Sequence, residues 1–193
     1  MTVARSQRRR RMPRAERREQ LLDAATRAFA RASFANTSLD VIAAEAGVTL
    51  AILYRHFASK ADLYRAVLEN ADTRLRETVG ADNFDDASIP ALVHAAAANP
   101  DAFRLLFRYA AREPEFRDTI DSLHSSSTEI TRRHLASHIT DDRWRSWAAR
   151  LLPTLTTDAV IAWLDAGQPD ADQAGTHIRR VVDAVIEAAE STH

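Results

Sequence analysis

The chain has 193 residues, 46% of them apolar and 27% charged, proportions that allow a substantial buried core. It has no cysteine, which excludes disulfides, thiol catalysis and cysteine-ligated zinc or iron–sulfur centres. A net charge of −1 hides an asymmetry, because residues 1–76 carry a net +7 and residues 77–193 a net −8. Such a split suggests a polyanion-binding end joined to a part with another task.

Residues 1–18 hold eight arginines and one acid, Glu16. Residues 1–12 are expected to form a basic, disordered arm. No apolar segment follows this start as a signal peptide would require, and no stretch approaches the roughly 18 apolar residues of a membrane span. The expectation is a cytoplasmic protein with no membrane partner. The four glycines, Gly47, Gly80, Gly167 and Gly175, are too scattered for a phosphate-cradling loop or a dinucleotide fingerprint. Neither a G-x-S-x-G elbow nor an H-E-x-x-H helix is present, and no nucleophile–base pair can be named. The chain is read as no enzyme and as needing no cofactor.

Strand signals are scarce and helical periodicity is everywhere, which predicts an all-α fold of about nine helices. The first helix should start near Pro13 and end near Ala32, burying Leu21, Leu22, Ala25, Phe29 and Ala32. Thr37-Ser38-Leu39-Asp40 and Ser59-Lys60-Ala61-Asp62 each set a hydroxyl three residues before an acid, the pattern of a capping box. Between them Gly47 can end one helix and Thr49 can cap the next. Residues 38–57 thus read as a helix-turn-helix, held to the first helix by Ile42, Ala43, Val48, Leu53 and Phe57. A long helix follows from Ser59 to Val79, with Leu63, Val67, Leu68, Ala71 and Leu75 on its buried side. Prolines then mark out helices at 89–98, 100–112, 115–138, 142–166 and 170–190, with Pro153 expected to kink or split the fourth.

The run Thr37-Ser38-Leu39-Asp40-Val41-Ile42-Ala43-Ala44-Glu45-Ala46-Gly47-Val48-Thr49, followed by Leu53-Tyr54-Arg55-His56-Phe57-Ala58-Ser59-Lys60-Ala61-Asp62-Leu63, resembles the DNA-binding domain of the tetracycline-repressor family. The likeness spans about residues 14–64, and Trp163-Leu164-Asp165-Ala166-Gly167 is similar to the close of that family's penultimate helix. It implies a helix-turn-helix domain over 13–58 and an effector-binding and dimerisation domain over 59–193. It also implies a homodimeric regulator, most often a repressor that binds a palindromic double-stranded operator and is released by a small molecule.

By the same resemblance Thr49, Leu50, Ala51 and Arg55 would face bases. Thr37, Ser38, Tyr54, His56 and Lys60 would contact phosphates. Two positions depart from the family pattern: Ser33, where a glycine usually ends the first helix, and Ala51, often glycine. Beyond the resemblance, Arg5, Arg8, Arg9, Arg10 and Arg11, with Arg14, Arg17 and Arg18, either reach a flanking minor groove or form a solvated tail.

In the C-terminal half, apolar stripes run through Phe103, Leu106, Phe107 and Ala110 and through Phe116, Ile120, Leu123 and Ile130. Most of such stripes is packing. Ser127, His134 and His94 break the pattern, which predicts a pocket for an apolar or amphipathic effector. Its lining is expected from His94, Phe103, Phe107, Phe116, Ile120, Leu123, Ser127, His134 and Trp147. His134 and His138 have an i, i+4 spacing that can bind metal, but no third ligand stands at a diagnostic distance, so no metal is expected. Ile178, Val181, Val182, Val185, Ile186 and Ala189 form a helical stripe that covers either its own subunit or a mate. The resemblance implies the mate, with Trp163, Ile178, Val181, Val182, Val185 and Ile186 at the interface. Such a dimer would set two recognition helices about 34 Å apart.

The resemblance implies a mechanism of linkage, in which an effector favours a dimer with the wrong helix spacing and the helix from Ser59 to Val79 would act as lever. A same-fold activator, a ligand-independent DNA binder and a helical protein whose arm holds polyanions non-specifically remain as alternatives. The effector is not identified by these residues.

Overall fold

Alanine-rich periodicity becomes helix almost everywhere. The computed structural model describes residues 12–80, 85 and 87–190, and among them there is no strand. Calls on the arm, Arg5 and Arg8 to Arg11 included, lie outside the described residues. The helices are α1 (Arg14–Asn36), α2 (Leu39–Glu45), α3 (Leu50–Tyr54), α4 (Lys60–Val79) and α5 (Ser88–Ala98), then α6 (Pro100–Arg104), α7 (Arg117–His134), α8 (Asp142–Asp165) and α9 (Ala171–Glu190).

Four details differ from the periodicity. First, α1 runs past residue 32, and Ala32 is exposed; the buried face is Leu21, Leu22, Ala24, Ala25, Thr26, Ala28 and Phe29. Second, the segment expected as one helix over 100–112 is α6, a π-turn Leu105–Tyr109 and a 3₁₀ turn Ala110–Arg112. Arg104 and Arg108 both close on Asp165, at 3.1 and 2.8 Å, and fasten that irregular stretch to the end of α8. Third, α7 ends at His134 in a 3₁₀ turn, short of residue 138. Fourth, α8 continues through Pro153 without splitting. Packing against α7 on one side and α9 on the other holds it, although Pro153 has no N–H to give.

The buried side chains form three clusters. One joins α1–α4 to Leu105, Leu106, Ala110, Phe116 and Ile120; it therefore crosses the boundary expected at residue 58. A second joins α5, α8 and α9 through Val93, Phe103, Val160, Trp163, Leu164 and Ile178. The third holds Leu135, Ile139, Ala148, Ala149, Leu152 and Ala189. Gly175 lets α9 approach α5, because a Cβ there would stand 3.4 Å from the Cα of Pro90.

At the centre of the first cluster four rings meet. Tyr64 lies 4.8 Å from Phe29, 5.0 Å from Phe34 and 4.5 Å from Phe116, between ring centroids. Phe34 and Phe116 meet edge-on at 4.9 Å. Phe116 comes from the 3₁₀ turn Pro114–Phe116 that leads into α7, so this stack joins the C-terminal helices to α1 and α4. Tyr64 is fully buried, its hydroxyl has no hydrogen-bond partner among the described residues, and burial pushes its pKa up.

Ser33 interrupts α1 with φ 68° and ψ 168°, a conformation that only glycine adopts without strain. Its carbonyl nevertheless accepts the Thr37 hydroxyl at 2.7 Å, so the surrounding structure holds the strained residue in place. Ser33→Gly should raise the unfolding free energy by about 1–3 kcal/mol in urea titrations; an unchanged or lower value would show that the strain is not there.

Candidate nucleic-acid interface and ligand cavity

The turn between α2 and α3 is built from local bonds. Val48 N–H donates to the Ala43 carbonyl at 2.9 Å and Gly47 N–H to that of Ala44 at 3.0 Å, the paired bonds of a Schellman ending. Gly47 takes φ 64°, which glycine permits at no steric cost. Ser38 caps α2 by accepting from Val41 N–H, and Ser59 caps α4 by accepting from Asp62 N–H. Thr49 stands at the start of α3 but its side chain makes no cap bond there. Its hydroxyl is left exposed at the tip of the helix.

From α1, Gln20 donates to the Ala46 carbonyl at 2.9 Å, and Arg27 and Arg31 both pair with Glu45. Together they clamp the C-terminal end of α2. The Arg31 guanidinium, followed by that of Arg27, holds the Glu45 carboxyl below its usual range. With α2 fixed and Leu53 and Phe57 buried, the outer face of α3 is defined: Thr49, Ala51, Tyr54 and Arg55 are exposed, Tyr54 by 52%.

Other expected contacts are placed differently. Leu50 is half-buried and packs against the first cluster. Thr37 is buried, and its hydroxyl donates to the carbonyls of Ser33 and Ala28, so it is turned inward and is not offered to a phosphate. Lys60 is also turned inward. Its ammonium donates to the carbonyls of Phe34 at 2.9 Å and Thr37 at 3.1 Å, and lies 4.4 Å from the centre of the Phe34 ring. That is the work of a brace between α4 and the α1–α2 connection. Ser38 remains exposed at the start of α2.

The structure also brings in residues that sequence reasoning assigned to the arm. Arg14, Arg17 and Arg18 belong to α1, and Arg18 lies over the Phe57 ring at 4.8 Å. They surround His56, whose pKa is lowered first by desolvation and then by the charges of Arg14, Arg18 and Arg17. The three guanidiniums therefore place positive charge beside the end of α3. The signal was present in the sequence as arginines inside the first helical turns, where a tail would not continue.

On the far side of the molecule α7 packs chiefly along α8, and the space between it and α4, α5 and α9 is a cavity of about 750 Å³. Phe107, Leu123, Ser127 and His134 line it, as expected, together with Leu75, Val79, Leu92 and Ile130. Five expected residues do not. Phe116 and Ile120 are taken up by the first cluster and Phe103 by the second. His94 is exposed, with Nδ1 2.8 Å from the Pro90 carbonyl oxygen. Trp147 lies in a separate depression with Arg143, Ser146, Arg150, Leu151 and Thr154. Among the described residues no cluster of three or more metal-ligating side chains occurs.

The stripe assigned to a dimer interface is divided in the same way. Trp163 and Ile178 are buried within the chain, and the Trp163 indole N–H donates to the Pro169 carbonyl. Val182, Val185 and Ile186 pack on the third cluster, and Val182 and Ile186 also line the cavity. Only Val181 of the set is exposed, by 48%. An amphipathic stripe shows that a helix is covered, and here its own subunit covers most of it.

Comparison with known proteins agrees with this architecture. Residues 21–67 match the family model for bacterial regulatory proteins, tetR family. The chain is 49% identical over 59 residues to the transcriptional activator FasR of Mycolicibacterium smegmatis, and 35% identical over 88 residues to the transcriptional repressor SCO4008 of Streptomyces coelicolor. These alignments cover 31% and 45% of this chain but only 27% and 46% of the relatives' own lengths. A TetR-like regulator from a Rhodococcus species superposes with a TM-score of 0.76 at 23% identity, over 89% of this chain and 96% of that one. NalD, the secondary repressor of the MexAB-OprM multidrug efflux pump in Pseudomonas aeruginosa, gives 0.67 at 20% identity over 89% and 96%. Likeness at this level shows the fold.

Because the His56 pKa is lowered in the folded chain, its contribution to stability is complete above the ordinary histidine value of 6.5 and is lost as pH falls through the lower folded value. Urea unfolding between pH 7.5 and 5 should show this acid-side loss in the native protein and a smaller one in His56→Gln. Parallel curves would show that His56 does not carry it.

Proposed function

We propose, from the premise that residues 21–67 belong to the tetR family of bacterial regulatory proteins, that the whole chain is a sequence-specific DNA-binding transcriptional regulator acting as a repressor. The observation that carries this reading is the exposed face of α3, with Thr49, Ala51, Tyr54 and Arg55 projecting from a helix that Leu53 and Phe57 anchor. Thr49, Ala51 and Arg55 read base edges in the major groove. Tyr54, His56 and Ser38 fix the register on phosphates, helped by Arg14, Arg17 and Arg18. Lys60 and Thr37 act behind this surface by holding α2 at its angle, and Leu50 is a packing residue at its edge.

The reading includes a two-fold dimer, which sets two such helices against successive major grooves. In support, α9 exposes His177, Val181, Ala184 and Ala188 at helical spacing, and α8 leaves Leu151 and Leu155 only half-covered. This face replaces the interface expected at Trp163 and Ile178. The cavity between α4 and α7 is the effector site, since α4 lines it through Leu75 and Val79 and also carries Lys60 and Tyr64 at its other end. A ligand there that prefers one placement of α4 biases the spacing of the recognition helices. A coupling of roughly 2–3 kcal/mol would weaken operator binding about 30–150-fold.

Selection of genomic fragments by the purified protein at about 150 mM salt, followed by sequencing, should enrich a few fragments that share a palindrome. Recovery of random fragments would point to non-specific polyanion binding and end this reading. On an enriched site, Arg55→Ala should cost about 1–3 kcal/mol and relax the preference at one base position, whereas Tyr54→Phe should weaken all sites alike. Val181→Glu with Ala184→Glu should halve the mass in sedimentation and abolish operator binding; a dimer that survives both would place the interface elsewhere.

A further inference from the structure

The charge balance of the cavity wall specifies the sign of its ligand. Among the described residues six carboxylates line it, those of Asp72, Asp85, Asp158, Asp183, Glu187 and Glu190, against the three guanidiniums of Arg76, Arg150 and Arg179. Acids and arginines alone give these residues a net −3. Two of the three cations on it are already engaged, and Arg150 makes no ion pair or hydrogen bond among the described residues. Arg76 is paired with Asp72 at 2.7 Å, and Arg179 donates to the Asp85 carbonyl at 3.2 Å. Asp85 itself accepts from Ala87 N–H at 2.9 Å and from the Ser88 hydroxyl at 3.1 Å. Asp158 on α8 and Asp183 on α9, by contrast, make no ion pair or hydrogen bond among the described residues. Glu190 meets only His138, at 3.8 Å.

Beneath this rim the wall is apolar, with Leu75, Leu92, Phe107, Leu123, Ile130 and Ile186. A volume of about 750 Å³ lies within the usual range for a drug-sized organic ligand. Apolar burial supplies the driving force, and the free carboxylates decide which charge is tolerated. A small, strongly hydrated cation would lose too much hydration in such a site. A bulky cation with diffuse charge loses little and keeps the carboxylates solvated at its edge.

We propose that the cavity takes an amphipathic organic cation, such as a lipophilic quaternary ammonium, a phosphonium or a protonated hydrophobic amine, and rejects anions of the same size. The proposal rests on the reading of this cavity as the effector site, and the two can fail separately.

Tetraphenylphosphonium and tetraphenylborate are nearly identical in shape and opposite in charge, so calorimetric titration of the dimer with each isolates the sign. The phosphonium should bind at least about tenfold tighter, with a preference that shrinks as salt rises. Asp158→Asn with Asp183→Asn should reduce that preference to about threefold or less, by weakening the phosphonium and not the borate. Equal or tighter binding of the borate overturns the proposal, and so does a preference that the double variant leaves intact. Failure of both probes to bind overturns it together with the effector-site reading. Phosphonium binding that meets the first criteria but never releases operator DNA sustains the ligand class and removes the effector role.

Discussion

One stack of aromatic rings holds the two ends of this molecule in register. Phe29 and Phe34 from α1, Tyr64 from α4 and Phe116 from the turn before α7 lie within 4.5–5.0 Å of a neighbour, ring centre to ring centre. Two of these contacts are edge-on and two tilted, and aromatic pairs contribute about 0.5–1.5 kcal/mol each beyond the area they bury. Lys60 sits one turn before Tyr64 and bonds the carbonyls on either side of the α1–α2 connection. The angle of the helix-turn-helix is therefore set from behind by α4, and α4 in turn is set by a residue from the C-terminal half. The Tyr64 hydroxyl, without a hydrogen-bond partner among the described residues, makes the junction less stable than a satisfied one would be.

The helix-turn-helix was legible in the sequence because its signals are local. Ser38 and Ser59 cap the helices that follow them, and Gly47 adopts the left-handed turn its position requires. What the sequence did not show were choices between neighbours. The family resemblance implied Lys60 as a phosphate contact, yet two carbonyls hold its ammonium inside. Trp163 and Ile178 read as an interface because a stripe says only that something covers it, and the cover is α5. The π-turn carries no propensity signature: Leu105 to Tyr109 would make an acceptable α-helix, and tertiary packing together with Asp165 selects the wider turn. Ser33 was noted as a departure from glycine, but its strain is a matter of backbone angle and became visible only in the fold.

The uneven charge of the chain also acquires a location. The positive half gathers Arg14, Arg17 and Arg18 near the end of α3, where desolvation first and then their charges lower the His56 pKa. The negative half supplies five of the six carboxylates described on the cavity wall, from Asp85, α8 and α9, and the sixth, Asp72 on α4, is paired with Arg76. On the proposed function, opposite charges in these two places would serve a polyanion at one and a cation at the other, with little cross-competition beyond a Debye length of about 8 Å at physiological salt.

The wide turn at Leu105–Tyr109 has a consequence for how chains of this kind can change length. Loss of one residue there, with the remaining residues keeping their winding, would rotate everything after it by about 100°. Phe116 would swing out of the ring stack, and Arg104 and Arg108 could no longer share Asp165. Insertions and deletions in descendants should then collect in the connections between helices and avoid this stretch. The spacing from Arg104 to Phe116 would be inherited as a fixed ruler even where the side chains between them drift.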